Sequence, residues 1–261
     1  MSKEKNLTNQ RFWEDYWNKK SDNKSKKKNK TTLLIQEIFR IFDKYLPNDS
    51  SLHIIEIGGA SGEFLLYLAK RFGYKANSMD YSRIGNEKTK EIFVSNGIDI
   101  TIYERDLFTF KDDSLKFDIV YSLGFIEHFD NVENVIEKHL DLLKPGGILL
   151  VGVPNLTGIY HWFLKYLSPT HDKTHNLNIM DIENWKTFEK KGELKTIFKG
   201  YIGGFEPLIM KKLDVNNSFN QFLYFVVKLL MIVFSFRMSL LRRVNSKYWS
   251  GYMIGIYKKP L

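Results

Sequence analysis

No cysteine occurs among the 261 residues. Disulfides, a thiolate nucleophile and cysteine-ligated zinc are therefore excluded. The opening residues, Met1 to Gln10, are polar. They do not read as a secretory leader, so a cytoplasmic location is the expectation. No internal repeat is visible. Acidic residues are in short supply, with 30 Asp and Glu against 39 Lys and Arg for a formal net charge of +9. The shortfall is sharpest in "KKSDNKSKKKNK", Lys19 to Lys30, which holds seven lysines and a single acid. Such a run suits an anionic partner, either nucleic acid or an acidic membrane surface. It also lacks aromatic residues on which bases would stack, so its plainer reading is a solvated linker.

What is present is enough apolar material, 43% of the chain, for one large α/β core. "RFWEDYW", Arg11 to Trp17, pairs Phe12 with Tyr16 and Trp13 with Trp17 at i, i+4 spacing, as a helix face would. A helix over about 32–45 follows, ended by Pro47 and Asn48. Strands and helices then alternate. "HIIEIG", "YKANSMD", "IDITIYERD", "KFDIVYSL" and "ILLVGVP" are strands one to five. Helices lie after strands one, two and four, and "KPGG" is a turn before strand five. A helix over 181–190, a sixth strand in "ELKTIFKGY" and a last strand in "GYMIGIYKKP" complete the pattern. Helical crossovers between strands imply a largely parallel sheet covered on both faces, hence a Rossmann-like doubly wound α/β fold. Residues 1–30 form an aromatic segment and a lysine-rich linker, and 31–261 a single domain with an apolar helical insertion at about 205–247.

The loop "EIGGASG" leaves strand one with three glycines, Gly58, Gly59 and Gly62. In a parallel sheet ligands bind beyond the carboxyl ends of the strands, and glycines let the backbone come close to them. Glu56 ends strand one, Asp80 strand two and Asp106 strand three. A carboxylate at the Asp80 position accepts hydrogen bonds from ribose hydroxyls. One at Asp106 takes the exocyclic amine of adenine, and Glu56 pairs with a ligand amine. So much negative charge disfavours a pyrophosphate and suits a ligand with ribose, adenine and a cationic centre. Asp118 starts strand four, away from that edge, and is structural.

On these residues the chain resembles class I S-adenosylmethionine-dependent methyltransferases of the small-molecule, ubiquinone/menaquinone-biosynthesis-like type. "EIGGASG" is similar to the family's acidic-x-Gly-x-Gly-x-Gly loop, with Ala60 where the family has its middle glycine. "SMDYS", "ERDLF", "FDIVYSLGFIEHF" and "LLKPGGILLVGVPN" resemble the segments that follow. The resemblance implies S-adenosylmethionine as cofactor and a seven-stranded sheet, mostly parallel, with an antiparallel last strand. It places Tyr81 beside the adenine, Leu107 at its edge, and the carbonyls of Ser122 and Leu123 on the methionine ammonium. It also implies that "RFWEDYW" folds over the cofactor.

Donor and acceptor should meet at "SLGFIEHF". A neutral imidazole suits removal of a hydroxyl proton, which makes His128 the candidate general base. Tyr160, His171 and His175 are acceptor-side candidates. His171 and His175 have the spacing of metal ligands but, apart from Asp172, lack a compelling third partner, so the segment reads as an acceptor-side loop and no metal is expected. "FNQFLYFVVKLLMIVFSFRMSLLRR", residues 219–243, is long enough to span a bilayer. A single span would put the last strand across the membrane from its sheet, so a helix lying in the interface, assisted by the 19–30 lysines, fits better. A lid or a homodimer contact is the alternative role. The activity expected is methyl transfer to a hydroxyl on a small-molecule, sugar or lipid-linked acceptor. A protein or other macromolecular acceptor, an NAD-dependent oxidoreductase and a catalytically silent membrane-binding module are the competing readings. Nucleic acid is disfavoured because no Asn/Asp-Pro-Pro-Tyr signature follows strand four.

Overall fold

The structure is a computed structural model describing residues 6–22, 32–161, 174–205 and 244–261, together with 221, 222, 225, 226 and 229. The lysine run from 23 to 30, His171, Trp162 and most of 206–243 lie outside the described residues.

Helix α1 (Gln10–Asp22) and helix α2 (Leu33–Tyr45) precede the sheet. Thr32 caps α2, its hydroxyl accepting from the Ile35 amide and so satisfying one of the open N–H groups of the first turn. Then come β1 (His53–Ile57), α3 (Glu63–Phe72), β2 (Lys75–Asp80), α4 (Arg83–Val94), β3 (Ile100–Glu104), β4 (Phe117–Leu123), α5 (Val132–Leu142) and β5 (Leu143–Pro154). A short helix α6 (Lys186–Lys191), β6 (Lys195–Phe205) and β7 (Ser250–Lys258) complete the order. The sheet has seven strands in the order β3-β2-β1-β4-β5-β7-β6, and β7 runs antiparallel to both neighbours. The expected doubly wound architecture is the one found.

Period-two alternation explains why both faces are covered. Along β1, Ile54 packs with Ile38, Ile41 and Phe42 of α2 and Leu65 of α3. Its neighbours Ile55 and Ile57 face the other way, toward Val135 and Ile136 of α5. The strand order reverses at β1. Its ladder with β2 continues to Ile57 opposite Met79, whereas its ladder with β4 stops at Glu56 opposite Tyr121. The two strands therefore part at their carboxyl ends, and a crevice opens at the switch point.

Three local expectations are corrected. "KPGG" is a bulge inside β5 rather than a turn before it: Leu143 pairs with Phe117, and the register resumes at Ile148 opposite Ile119. The bulge is held because the Gly146 amide donates to the Pro260 carbonyl and the Lys259 amide to the Gly147 carbonyl. The helix read over 181–190 is a 3₁₀ turn, Ile182–Trp185, followed by α6. The fully buried Trp185 indole donates to the Ile179 carbonyl at 2.7 Å, pinning the chain at the tighter winding. Finally, β3 ends at Glu104, and Asp106 stands in the turn beyond it, accepting from the Phe108 amide at 2.9 Å.

Candidate active site

The glycine loop shows what each residue is for. Gly58 has φ of +66°, and a Cβ there would lie 2.2 Å from Cδ2 of Phe125. A Cβ on Gly59 would fall 1.9 Å from Cδ of Glu56, so the Glu56 side chain lies directly across the Gly59 backbone. Gly62 caps α3 in the left-handed conformation. Ala60, which the resemblance left unexplained, has its place as well. Its methyl occupies the space a Cβ on Gly85 of α4 would need, with a separation of 2.6 Å.

The acids are buried to different degrees. Glu56 is 3% exposed, and its Oε2 has no hydrogen-bond partner among the described residues. Burial pushes its carboxyl up to about 8, with the Tyr121 hydroxyl working against the rise and Asp80 and Glu63 adding to it. Asp80 accepts from the Ser82 amide at 2.8 Å. Burial raises it to about 6, opposed by the amides of Ser82 and Ala60. Asn86 donates to the Asp80 carbonyl at 2.9 Å and so fixes the end of β2. One cavity joins Gly58, Asp80, Tyr81, Asp106 and Leu107 on one wall to Phe125 and His128 on the other.

The N-terminal segment closes this cavity. The Leu7 amide donates to the His128 carbonyl at 2.9 Å, and Asn6 bridges Phe129. Trp13 sets its ring edge-on to His128 with centroids 5.0 Å apart, its indole bonded to Thr8. Gln10 donates to the Tyr81 carbonyl at 2.8 Å. Glu14 accepts from the Arg83 and Ile84 amides at the start of α4, where a carboxylate is favoured by the open N–H groups. Trp13 of "RFWEDYW" thus lines this cavity.

Ser122 and Leu123 do not line the cavity with their side chains. The Ser122 hydroxyl lies 3.1 Å from Nε2 of His139, whose Nδ1 is 2.7 Å from the Val135 carbonyl. A carbonyl only accepts, so Nδ1 carries the proton and Ser122 donates to Nε2. Burial keeps His139 neutral, pulling it down to about 4. Only the backbone of Ser122 remains for a ligand. Asp118 is structural, holding the His53 amide at 2.9 Å and Lys144 at 2.8 Å.

On the acceptor side, Tyr160 is corrected from pocket wall to core. It is fully buried, and its hydroxyl donates to the Trp249 carbonyl at 2.6 Å. His175 does come to the site, its ring 4.7 Å from that of His128. The sequence offered His171 and Asp172 as partners for His175, both outside the described residues; the fold brings Glu127 and His128 beside it. His128 is 6% exposed, with Nδ1 2.7 Å from the Thr174 carbonyl. Glu127 is 1% exposed, and burial pushes its carboxyl up to about 8 against the pull of its own backbone amide. Sequence reasoning missed Phe125, Thr8 and Arg105 as cavity residues. Of these, only Phe125 carried a signal, two residues past the end of β4.

A doubly wound sheet with a glycine loop and acids at or just past successive strand ends is the arrangement of a nucleoside-binding site. A methyltransferase-domain family model matches residues 28–192, more than half of the chain. The chain belongs to this family of S-adenosylmethionine-dependent methyltransferases. It is similar to a ubiquinone biosynthesis O-methyltransferase of Chelativorans sp. (strain BNC1), 29% identical over 106 residues that cover 41% of this chain and 42% of that protein. The ubiquinone biosynthesis O-methyltransferase of Rickettsia conorii (strain ATCC VR-613 / Malish 7) is 27% identical over 170 residues, 62% of this chain and 57% of that one. The chain thus spans about half the length of the curated relatives it matches. Among solved structures, the N-methyltransferase NodS from Bradyrhizobium japonicum WM9, in complex with S-adenosylhomocysteine, superposes with a TM-score of 0.59 at 12% identity, over 95% of this chain and 98% of that one.

The residues present fit that cofactor. The buried Glu56 carboxyl, whose Oε2 has no hydrogen-bond partner among the described residues, suits an ammonium group. Asp80 suits a ribose, and Gly58 brings its backbone to the wall of the same cavity.

Proposed function

We propose that the chain transfers a methyl group from S-adenosylmethionine to a hydroxyl on a small-molecule, sugar or lipid-linked acceptor. The observation that carries the reading is a single cavity with the Gly58–Asp80–Asp106 wall on one side and His128 on the other, closed by Trp13. The cofactor supplies a methyl on a sulfonium, so the protein's work is alignment, exclusion of water and management of one proton. Glu56, Asp80 and Asp106 hold the donor. The Thr174 carbonyl fixes the proton of His128 on Nδ1, which leaves the lone pair on Nε2 to take the acceptor's proton. Titration calorimetry with S-adenosylmethionine, S-adenosylhomocysteine and NAD tests the reading. Heat with both adenosyl ligands and none with NAD is expected; the reverse pattern, or silence, sinks it.

The apolar insertion is proposed to dock on an anionic membrane surface, with the lysines of 19–30 as a second attachment. Supporting this, Phe222, Phe225 and Leu229 are exposed by 64%, 61% and 53% at helical spacing. No helix among the described residues is long and apolar enough to cross a membrane. Flotation with anionic liposomes is expected for the whole chain and lost on deletion of 219–243. Continued flotation of the deletion removes the insertion as anchor.

A further inference from the structure

We propose that Glu127, His128 and His175 form a binding site for a divalent first-row transition ion, zinc being the best match, at the acceptor end of the cofactor cavity. One ligand atom from each lies within 4.8 Å of the others. Nε2 of His128 is already 3.8 Å from Oε1 of Glu127. Ligand atoms around a tetrahedral ion with bonds of about 2.1 Å stand about 3.4 Å apart, so small side-chain rotations close the site.

Three further observations point to an ion rather than to a chance cluster. The carboxyl of Glu127 is buried, yet its Oε2 has no hydrogen-bond partner among the described residues. A buried oxygen left so is costly unless something cationic meets it. Second, the outer contacts are those of ligating histidines. The Thr174 carbonyl takes the Nδ1 proton of His128 at 2.7 Å, fixing the tautomer that presents Nε2. The Thr174 hydroxyl meets Nδ1 of His175 at 2.9 Å, so one residue orients both rings. Third, the loop that brings His175 is held without any ion. The Asn176 amide donates to the Glu127 carbonyl at 2.6 Å, and its side chain donates to the carbonyls of Phe129 and Asp130. The site is thereby preformed.

The donor set selects the metal. Two imidazoles and one carboxylate suit zinc, iron, cobalt or nickel, whereas magnesium and calcium prefer all-oxygen shells. Three protein ligands leave positions open, as at catalytic rather than structural sites. His128 also lines the cavity that holds Gly58 and Asp80, so the site adjoins that cavity. An ion there occupies the Nε2 lone pair of His128, so the metal-loaded chain uses it in place of the imidazole base: as a Lewis acid it lowers the pKa of a hydroxyl placed on it, whose proton then leaves to solvent. That role rests on the methyl-transfer reading; the binding of the ion does not.

The full chain, dialysed against chelator, is titrated with zinc chloride and with magnesium chloride, and loaded with cobalt(II) for visible absorption. One zinc per chain, at least about tenfold weaker binding in His175→Ala and in Glu127→Gln, and cobalt bands of a low-coordinate site that fade in both variants are expected. Glu127→Gln conserves shape and keeps the test usable if His175→Ala disturbs its loop. S-adenosylhomocysteine titration and thermal melts report the fold of each variant. No zinc uptake by the unsubstituted chain, equal affinity in both variants, or no preference over magnesium overturns the site. Silence with S-adenosylhomocysteine alongside normal zinc uptake strikes the methyl-transfer reading and leaves the ion site standing.

Discussion

Asp80→Ala is expected to weaken S-adenosylhomocysteine binding by about 100-fold or more, with the melting transition still cooperative. A charged acceptor contributes about 1.5–3 kcal/mol per hydrogen bond, and a ribose offers two hydroxyls to one carboxylate. At about 1.4 kcal/mol per factor of ten, even the lower figure doubled exceeds two decades. The group is well placed to pay little elsewhere. Within the protein its side chain accepts from the Ser82 amide, and the strand end is also held by Asn86 donating to the Asp80 carbonyl. With its carboxyl raised only to about 6, Asp80 is largely ionised at pH 7. Calorimetry on the variant decides the point, and an unchanged Kd refutes the ribose assignment.

Glu56→Gln is expected to pull stability and binding in opposite directions. The carboxyl is protonated in the folded chain up to about pH 8 but ionises near its ordinary 4.5 once unfolded. The unfolded state therefore binds fewer protons between those values, and stability falls as pH rises through that window. Glu56's contribution is fully present below pH 4.5 and lost by about pH 8. Glutamine is neutral in both states, so the variant's stability should be flatter across the window. At pH 8 it should exceed the parent by about 1 kcal/mol or more, roughly 2–4 °C in Tm. Binding should move the other way. An ammonium pairs with the ionised carboxylate, so S-adenosylmethionine binding by the parent releases a proton at pH 7. Its observed heat should then vary with the ionisation enthalpy of the buffer. In Glu56→Gln the buffer dependence disappears, and affinity drops about tenfold or more. A parent whose binding heat is the same in every buffer would show that Glu56 is not the ammonium partner.

The glycine loop and the acids near it were legible because their signals are local. Glu56, Gly58, Gly59 and Asp80 stand at strand ends and in one tight loop, where periodicity and glycine spacing locate them within a residue or two. Asp106 was found by the same logic, although its strand stops two residues earlier. The acceptor half was not local. Tyr160 and His175 are fifteen residues apart in one segment, yet one is sealed in the core and the other lies against His128. No periodicity separates those outcomes, because each depends on contacts with distant chain, Trp249 for Tyr160 and the 126–128 turn for His175. Ala60 makes the same point on a smaller scale. It is explained only by Gly85, twenty-five residues on and across a helix interface.

The sequence by itself determined the strand order's ingredients, the crossovers, the glycine loop and the acids at or just past the strand ends, since these follow from short-range steric and hydrophobic periodicity. Only the tertiary structure decided that Glu56 and Glu127 are buried without a full set of partners, that Trp13 stands over His128, and that Glu127, His128 and His175 converge. Burial and convergence are properties of packing between segments far apart in the chain, and the residue pattern of one segment carries no record of the other.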